Sequence, residues 1–307
     1  MRAMNTVPPP PASNVSDLAF TPRAAAAPAG EMLVHDVGKT YGSGTFAKVV
    51  VHDCSFAIER GKLSVMIGPS GCGKSTLIRL LAGFERPSAG TITIDGKPIA
   101  GPGLDRLVLF QESALFPWMT TYGNIMFGPR ARAEAGNEAR RTAEFLLDKV
   151  GLGAFRRKYP TQLSGGMQRR AELARAMING PKVMILDEPF RGLDAMTKTL
   201  MQEYYAKLYE ETRRTTFFVT TDIDEAIFLA DRILVMTNVP ARVRATLEVK
   251  LPRPRRLEDL VENDDANQIK MEALSLLHEE AMKSFARGSK AAADFIEAYS
   301  KRIQKPG

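Results

Sequence analysis

The stretch Gly68-Pro69-Ser70-Gly71-Cys72-Gly73-Lys74-Ser75 decides the fold of this 307-residue chain. It fits the phosphate-binding pattern G-x-x-x-x-G-K-[ST], in which glycines let consecutive backbone N–H groups turn toward one anion. We expect Lys74 to reach the β- and γ-phosphates of a nucleoside triphosphate and the Ser75 hydroxyl to bind Mg²⁺. The alternative is a glycine-rich turn that happens to contain a lysine.

The flanks of this loop favour the phosphate-binding interpretation. Residues 63–67 form a short apolar run typical of a buried strand, and residues 75–82 have helical spacing that stops at Gly83. A strand, a glycine turn and a helix are the required context, because the helix N-terminus places positive partial charge behind the anion. Thr76, in the first turn of this helix, is therefore counted among the nucleotide-binding residues.

Composition and cysteine usage limit the class of protein. Hydrophobic residues make up 44% of the chain and charged residues 25%, as in ordinary globular domains. No apolar run approaches the ~18 residues of a membrane span, so we expect any transport path to lie in other chains. Cys54 and Cys72 form no disulfide framework, which indicates a reducing cytosol. Residues 1–30, rich in Pro and Ala, are predicted to be a disordered tail, with a targeting or docking role as the alternative.

The net charge of +7 raises the question of a nucleic-acid partner. The basic residues are scattered or fall in short clusters, such as Arg140-Arg141, Arg156-Arg157-Lys158 and residues 253–256, without an aromatic stacking platform. We therefore expect these clusters to be solvated surface and expect no nucleic-acid partner. Contact with anionic lipid headgroups is the alternative.

The hydrophobic pattern predicts an α/β fold. Continuous apolar runs at residues 183–186, 217–219 and 233–236 are typical of buried strands, and they alternate with predicted helices at 139–150 and from Gly166. This alternation favours a mostly parallel sheet. Further elements are short strands within residues 33–59 and 90–96, a hairpin turn at Asp95-Gly96, and a C-terminal helix with Ile269, Ala273, Leu276, Leu277 and Ala281 at helical spacing.

A second motif, Leu163-Ser164-Gly165-Gly166-Met167-Gln168, lies downstream of the phosphate loop. With that loop, it resembles the signature of the ATP-binding-cassette (ABC) family, and the resemblance spans roughly residues 32–251. It implies a P-loop NTPase core with an antiparallel β subdomain and a helical subdomain inserted around residues 112–180. The nucleotide-binding domain would then occupy 31–251, followed by a helical extension at 252–307 that packs on it or, alternatively, regulates it or contacts a dimer partner.

The same resemblance assigns roles around the nucleotide. Val183-Met184-Ile185-Leu186-Asp187-Glu188 resembles the Walker B motif, which implies that Asp187 holds Mg²⁺ and that Glu188 acts as general base on the attacking water. Gln111 matches the Q-loop glutamine, implying a second oxygen ligand for Mg²⁺ and a hydrogen bond to that water. Tyr41 matches the aromatic residue that stacks on adenine, with core packing as the alternative.

In the family, the signature faces the γ-phosphate held by a second subunit, so each ATP is sandwiched between two cassettes. Ser164, Gly165, Gly166 and Gln168 are therefore expected to bind the nucleotide of a partner cassette, which is a second copy or a paralogue. Asp194, in Gly192-Leu193-Asp194, matches the D-loop that crosses between subunits. Dimerisation on ATP and release on hydrolysis would then drive a membrane permease.

Two positions depart from the family pattern. Thr220-Thr221-Asp222 stands where Thr-His-Asp is expected, so Thr221 replaces the histidine that contacts the γ-phosphate. We expect slower hydrolysis with ATP binding intact. Arg191 stands where relatives carry a small residue, and we expect it to adjust the dimer contact.

Within the family, residues 110–118 and Asp224-Glu225-Ala226 look most like bacterial importers of nitrate, sulfonate, taurine and bicarbonate. The implied function is an ATPase at the cytoplasmic face of the inner membrane that drives uptake of a small anionic solute. Its implied partners are a permease pair and an extracytoplasmic substrate-binding protein. Phe116, Pro117 and Trp118 would lie near the groove that receives a permease helix, with core packing as the alternative.

Two other classes compete with this interpretation. DNA-repair and translation ATPases of the family are disfavoured, because the insert between the two motifs is too short for long coiled coils and the chain carries one cassette. The replacement at Thr221 keeps a third class open, a cassette with weak or no turnover that acts as a regulatory or asymmetric partner.

Overall fold

The phosphate loop joins the central strand of a six-stranded sheet to a helix in the computed structural model, which describes residues 30–288. The sheet has the order β10-β9-β3-β8-β7-β6 and is parallel except for β10, which runs antiparallel to β9. This confirms the predicted mostly parallel sheet. Its strands are β3 (Leu63–Ile67), β6 (Arg106–Leu109), β7 (Val183–Asp187), β8 (Thr215–Val219), β9 (Arg232–Met236) and β10 (Val243–Glu248).

A second, antiparallel sheet of four strands corresponds to the β subdomain that the family resemblance implies. Its order is β2-β1-β4-β5, and its strands are β1 (Met32–Tyr41), β2 (Lys48–Ile58), β4 (Ala89–Ile94) and β5 (Lys97–Pro98). Asp95 and Gly96 connect β4 to β5 with φ of 48° and 75°. Two consecutive positive φ angles are typical of a type I′ hairpin turn, so the Asp-Gly prediction is confirmed.

Nine α-helices occur within residues 30–288, and four of them, α2 to α5, form the insertion between β6 and β7. This confirms the helical character of the insertion predicted around residues 112–180. The helices are α1 (Lys74–Ala82), α2 (Thr121–Ile125), α3 (Phe127–Ala131), α4 (Asn137–Lys149), α5 (Gly165–Met177), α6 (Ala195–Thr212), α7 (Ile223–Leu229), α8 (Leu257–Val261) and α9 (Asp264–Gly288).

The parallel sheet has an apolar cluster on each face. Phe217 belongs to a cluster with α1 and the antiparallel sheet, whereas its neighbour Phe218 belongs to the cluster formed with the inserted helices, α6 and α7. Successive side chains of a strand point to opposite faces, so both must be apolar when both faces are covered. This explains why the predicted strands are continuous apolar runs rather than alternating ones.

The prediction of solvated surface is wrong for part of the basic cluster at residues 253–256. Arg253 hydrogen-bonds to Asp231 at 3.0 Å, and its side chain is only 9% exposed. Arg255 is buried, and burial together with the charge of Arg253 lowers the pKa of Arg255 to about 10. Its guanidinium donates to backbone carbonyls at the C-terminal end of helix α7 and in the segment after β10. These carbonyls belong to Ile227, Phe228, Ala230, Val249 and Leu251.

Helix α9 packs on the domain, as its periodicity predicts. Ala273 is fully buried, and Ile269, Leu276 and Leu277 pack partly buried against the core, whereas Ala281 is exposed. Lys270 pairs with Asp224 at 2.6 Å and so joins α9 to α7. The rest of the predicted extension, 289–307, and residues 1–29 of the predicted tail lie outside the described residues. Within 30–288, every helix is too short or too polar to cross a membrane.

Candidate active site

The phosphate loop connects β3 to α1 and holds its lysine in place through its own backbone carbonyls. Gly71 and Gly73 have φ of 75° and 110°, a region that favours glycine. The buried Lys74 side chain donates from Nζ to the carbonyl oxygens of Gly68 at 2.8 Å and Pro69 at 2.9 Å. An ammonium group has three donors, so one is left for a phosphate oxygen. Ser75 is exposed at the start of the helix, where a hydroxyl can meet a metal ion.

Cys72 is a packing residue of the loop. It is buried, and a Cβ built on Gly68 would lie 2.9 Å from its sulfur, so the two residues pack closely. Burial raises the pKa of the Cys72 thiol, against the opposing charge of Lys74. The thiol therefore stays protonated at neutral pH, and we assign it no chemical role.

Strand β7 delivers two consecutive carboxylates to the same edge of the sheet. Burial raises the pKa of the Asp187 carboxyl, the charge of Glu188 raises it further, and the charges of Lys74 and Arg79 oppose this rise. The positive charge of Lys74 thus acts electrostatically on the Asp187 carboxyl. The Asp187 carboxylate and the Ser75 hydroxyl suit Mg²⁺, which usually takes one or two protein carboxylates with substrate phosphates and water. Within residues 30–288, no group of three or more His, Cys, Asp or Glu could hold a metal ion.

Glu188 has an unusual backbone conformation, and its carboxylate is hydrogen-bonded to another side chain. Its φ is 43°, a left-handed conformation that is uncommon for residues other than glycine, and its N–H donates to the Val219 carbonyl at 2.9 Å. One carboxylate oxygen, Oε2, accepts a hydrogen bond from Arg191 at 3.0 Å. The sequence departure at Arg191 therefore contacts the predicted general base directly.

Gln111 follows β6 and is anchored through its backbone. Its carbonyl accepts a hydrogen bond from Arg169, and the Phe110 carbonyl accepts another from the same guanidinium at 2.9 Å. The side chain of Gln111 is exposed. Arg169 is itself buried and pairs with Glu172 at 2.6 Å. Sequence reasoning missed this pair, whose signal is a pair of opposite charges three residues apart on an otherwise apolar helix face.

The signature segment forms the start of α5. Ser164 is its N-cap and accepts a hydrogen bond from the Met167 N–H at 3.3 Å, while the hydroxyl proton of Ser164 remains available to a ligand. Gln168 donates to the carbonyls of Pro160 and Leu163 at 3.0 and 3.2 Å, so its amide holds the loop in shape. Ser164 and Gly165 are exposed.

The predicted D-loop lies against the signature. A Cβ on Gly165 would lie 3.2 Å from the Leu193 side chain, and one on Gly166 would lie 2.7 Å from that of Thr197. Asp194 is the N-cap of α6, and the hydrogen bond from Thr197 lowers the pKa of its carboxyl. A helix cap explains Asp194 in one chain, so its role toward a second chain stays a prediction.

Thr221 is exposed, beside a polar network that joins α7 to α6. Asp222 caps α7 by accepting from the Glu225 N–H at 3.1 Å, and it pairs with Lys198 of α6 at 2.7 Å. Gln202 of α6 donates to the buried Glu225 at 2.8 Å. Position 221 therefore precedes a well-anchored helix start, but it offers a neutral hydroxyl and no cation.

Tyr41 ends β1 and is only partly buried, so the core-packing alternative does not describe it. Its hydroxyl donates to Glu85 Oε2 at 2.6 Å, and this hydrogen bond lowers the pKa of the Glu85 carboxyl. The Lys39 ammonium pairs with the same carboxylate at 3.1 Å and lies 5.0 Å from the centre of the Tyr41 ring. The sequence did not reveal these partners, and the adenine-stacking role of Tyr41 stays a prediction.

The structure thus assembles two groups of predicted residues. One contains Lys74, Asp187 and Glu188, in which the charges of Lys74 and Glu188 act on the Asp187 carboxyl. The other contains the signature residues and the segment from Leu193 to Thr197. Within residues 30–288, no hydrogen bond or ion pair joins the signature segment to the phosphate loop.

Known proteins that resemble this chain match the segments that contain both groups of predicted residues. The family model described as ABC transporter matches residues 51–191, from before the phosphate loop to Arg191. A nitrate import ATP-binding protein of Synechococcus elongatus is 43% identical over 79% of this chain and 89% of its own length. A bicarbonate transport ATP-binding protein of the same organism is 40% identical over 80% of this chain and 90% of its own. A dimeric ATP-binding cassette in a post-hydrolysis state with ADP and Pi has a TM-score of 0.62 at 28% identity, covering 72% of this chain and 100% of that one.

Proposed function

The chain belongs to the ATP-binding-cassette transporter family, and on that premise we propose that it is the ATPase subunit of a bacterial importer of a small anionic solute. The relatives named for nitrate and bicarbonate import support the anionic substrate class. We place the subunit at the cytoplasmic face of the inner membrane, attached to a permease pair, with an extracytoplasmic protein delivering the solute.

The observation that carries the ATPase assignment is that β3 and β7 run parallel in one sheet, so the phosphate loop and Asp187 lie at strand ends on the same edge and the charge of Lys74 acts on the Asp187 carboxyl. Lys74 would bind the β- and γ-phosphates, supported by Gly68, Pro69, Ser70, Gly71, Cys72, Gly73 and Thr76 through the loop and the first helical turn. Ser75, Asp187 and Gln111 would hold Mg²⁺, which supplies charge neutralisation on the transferring phosphoryl group. Glu188 would take the proton of the attacking water.

A second cassette completes the site in this proposal. The exposed Ser164 hydroxyl and Gly165 backbone have no hydrogen bond or ion pair to the phosphate loop within residues 30–288. An exposed helix start that presents a hydroxyl and backbone N–H groups suits a phosphate of an ATP bound by another copy. The structural relative that is dimeric and holds ADP and Pi supports this arrangement.

An aromatic surface on the inserted helices supports docking to a permease. Trp118 is 69% exposed, so core packing does not explain it. The Phe116 ring lies 5.4 Å from the Trp118 ring and 4.6 Å from that of Phe127, and the Arg175 guanidinium lies 5.2 Å from the centre of Phe116. An adjacent cavity of about 210 Å³ is lined by Phe110, Phe116, Phe127, Glu172 and Arg175, among others. An amphipathic helix of a membrane partner fits such an aromatic surface with a polar edge.

The test combines ATPase and uptake measurements in cells that lack the native copy of this chain. The wild type should restore uptake of labelled nitrate, bicarbonate or an alkanesulfonate, and Lys74→Ala should not. Trp118→Ala should retain phosphate release by the purified chain while reducing uptake at least about tenfold, since an aromatic anchor that becomes buried in an interface contributes about 2 kcal/mol or more, roughly thirtyfold in affinity.

Val261→Ala is the matched control, because Val261 is 74% exposed on α8 and should leave both readouts unchanged. Normal uptake of all three solutes in cells without the chain would contradict the proposal that this chain drives import of these anions. Phosphate release at the level of Lys74→Ala by the wild type would instead favour the cassette without turnover.

A further inference from the structure

Two hydrogen bonds, one between backbones and one between side chains, join Arg191 to Glu188. The Arg191 N–H donates to the Glu188 carbonyl at 3.1 Å, and the Arg191 guanidinium donates to Glu188 Oε2 at 3.0 Å. The Glu188 side chain is 13% exposed, whereas that of Arg191 is 62% exposed. A largely solvated arginine thus reaches inward to a largely buried carboxylate at the end of β7.

The backbone of Glu188 leaves few ways for its side chain to move. Its φ of 43° and the hydrogen bond of its N–H to Val219 hold the start of the side chain in one direction. Left-handed conformations of residues other than glycine cost energy and concentrate at functional sites. The remaining freedom lies in the side-chain torsions, which the guanidinium of Arg191 restricts.

Two other cationic side chains around the site, Lys74 and Lys198, already have hydrogen-bond or ion-pair partners. Lys74 donates to Gly68 and Pro69, and Lys198 pairs with Asp222. In the part of the chain that the structure describes, Arg191 is the one side chain that hydrogen-bonds to the Glu188 carboxylate, and it occupies Oε2 only. The second oxygen, Oε1, is therefore available to a water molecule.

We propose that Arg191 is a positioning residue for ATP hydrolysis. Its guanidinium holds Oε2 of Glu188 so that Oε1 faces the attacking water, as a third group orients the base in other active sites. Water forms a new bond to the γ-phosphorus, the bond from that phosphorus to the ADP oxygen breaks, and the water proton passes to Oε1. Arg191 itself exchanges no proton. This proposal rests on the proposed role of Glu188 as general base.

The experiment measures kcat and KM for ATP of the full chain with Arg191→Met, Arg191→Ala and Arg191→Lys. We expect Met and Ala to lower kcat about fivefold, equivalent to about 1 kcal/mol, with KM unchanged. Lys should recover part of the rate, and added guanidinium ion should partly rescue Arg191→Ala. Arg156→Ala is the matched control, because Arg156 forms an exposed pair with Glu144 at 3.4 Å, and its removal should change neither constant.

Glu188→Gln separates this inference from the proposed function. Full activity of Glu188→Gln would refute Glu188 as the base. Loss of activity in Glu188→Gln together with unchanged or faster turnover in Arg191→Met and Arg191→Ala would overturn only the positioning role. In the Glu188→Gln background, Arg191→Met should lower the residual rate no further. Equal thermal unfolding midpoints for the variants would support a direct effect, since an exposed arginine pair contributes little to stability. A kcat loss in the Met, Ala and Lys variants that matches a fall in folded fraction would overturn it.

Discussion

The N-termini of α1 and α5 both suit an anion, yet only the first carries a charge of its own. Helix α1 begins with Lys74, whose ammonium is held by two loop carbonyls. Helix α5 begins after Ser164, a neutral cap, and its nearby Arg169 is buried in a pair with Glu172. The α1 site therefore has a directed cation, whereas the α5 site has a hydroxyl and the partial charge of the helix end.

This difference indicates that the two helix N-termini contribute differently to ATP binding. A prepositioned ammonium loses little entropy on binding a phosphate, so most of the affinity for ATP is expected at α1. Helix α5 has weaker groups but presents them at an exposed edge next to the D-loop segment. It is suited to recognise a nucleotide that is already bound elsewhere and to add its contribution when the cassettes close.

The strongest way to break the comparison is to remove the charge at α1. Lys74→Ala should weaken ATP affinity about a hundredfold and abolish turnover, because a charge-assisted hydrogen bond of up to about 3 kcal/mol is lost. Titration calorimetry and phosphate release measure the two effects. Lys62→Ala, at an exposed lysine before β3, is the control and should behave as wild type. Unchanged affinity in Lys74→Ala would show that α1 is not the main phosphate site.

The next test changes the charge at α5 while keeping the helix cap. Ser164→Asp retains a good N-cap but places a negative charge where the partner's γ-phosphate is expected. ATP affinity of the single chain should stay the same, while turnover should fall at least about tenfold through like-charge repulsion. Ser164→Asn, a neutral cap, is the control. Weaker ATP affinity in the isolated Ser164→Asp chain would mean that both helix ends bind the same nucleotide within one chain.

Mixing the two inactive variants extends this test. A dimer of Lys74→Ala with Ser164→Asp has one doubly damaged site and one intact site. Random pairing should restore up to about a quarter of the wild-type rate per cassette. A mixture that stays as inactive as its components would contradict sites shared between two chains, provided that gel filtration shows mixed dimers.

The last test concerns Thr221, which lies between β8 and α7. An imidazole is longer than a hydroxyl and can carry positive charge, so Thr221→His should raise the ATPase rate of the homodimer by about tenfold or more if one good hydrogen bond to the γ-phosphate is regained. Thr221→Gln tests length and hydrogen bonding without charge and should gain less. An equal or lower rate in a folded histidine variant would indicate that another step, such as dimer opening, limits turnover.

Residue patterns predicted the elements that depend on near neighbours. The loop before α1, the Asp95-Gly96 turn and the buried strands follow from local backbone preferences and from apolar runs, and the structure confirms them. The basic cluster at residues 253–256 was mispredicted for Arg253 and Arg255. Charge alone does not reveal that carbonyls at the end of a distant helix will accept hydrogen bonds from a buried guanidinium.

By itself, the sequence determined the parallel core and the phosphate loop and predicted the residues that would meet a triphosphate, because these depend on local geometry and on side-chain chemistry. Only the tertiary structure decided which partners those residues have: Arg191 on Glu188, Glu85 on Tyr41, and Arg169 on the backbone of Gln111. Such contacts form when the packing of separate elements brings chosen atoms within hydrogen-bond distance. Periodicity records which face of an element is buried but not which polar group it meets there.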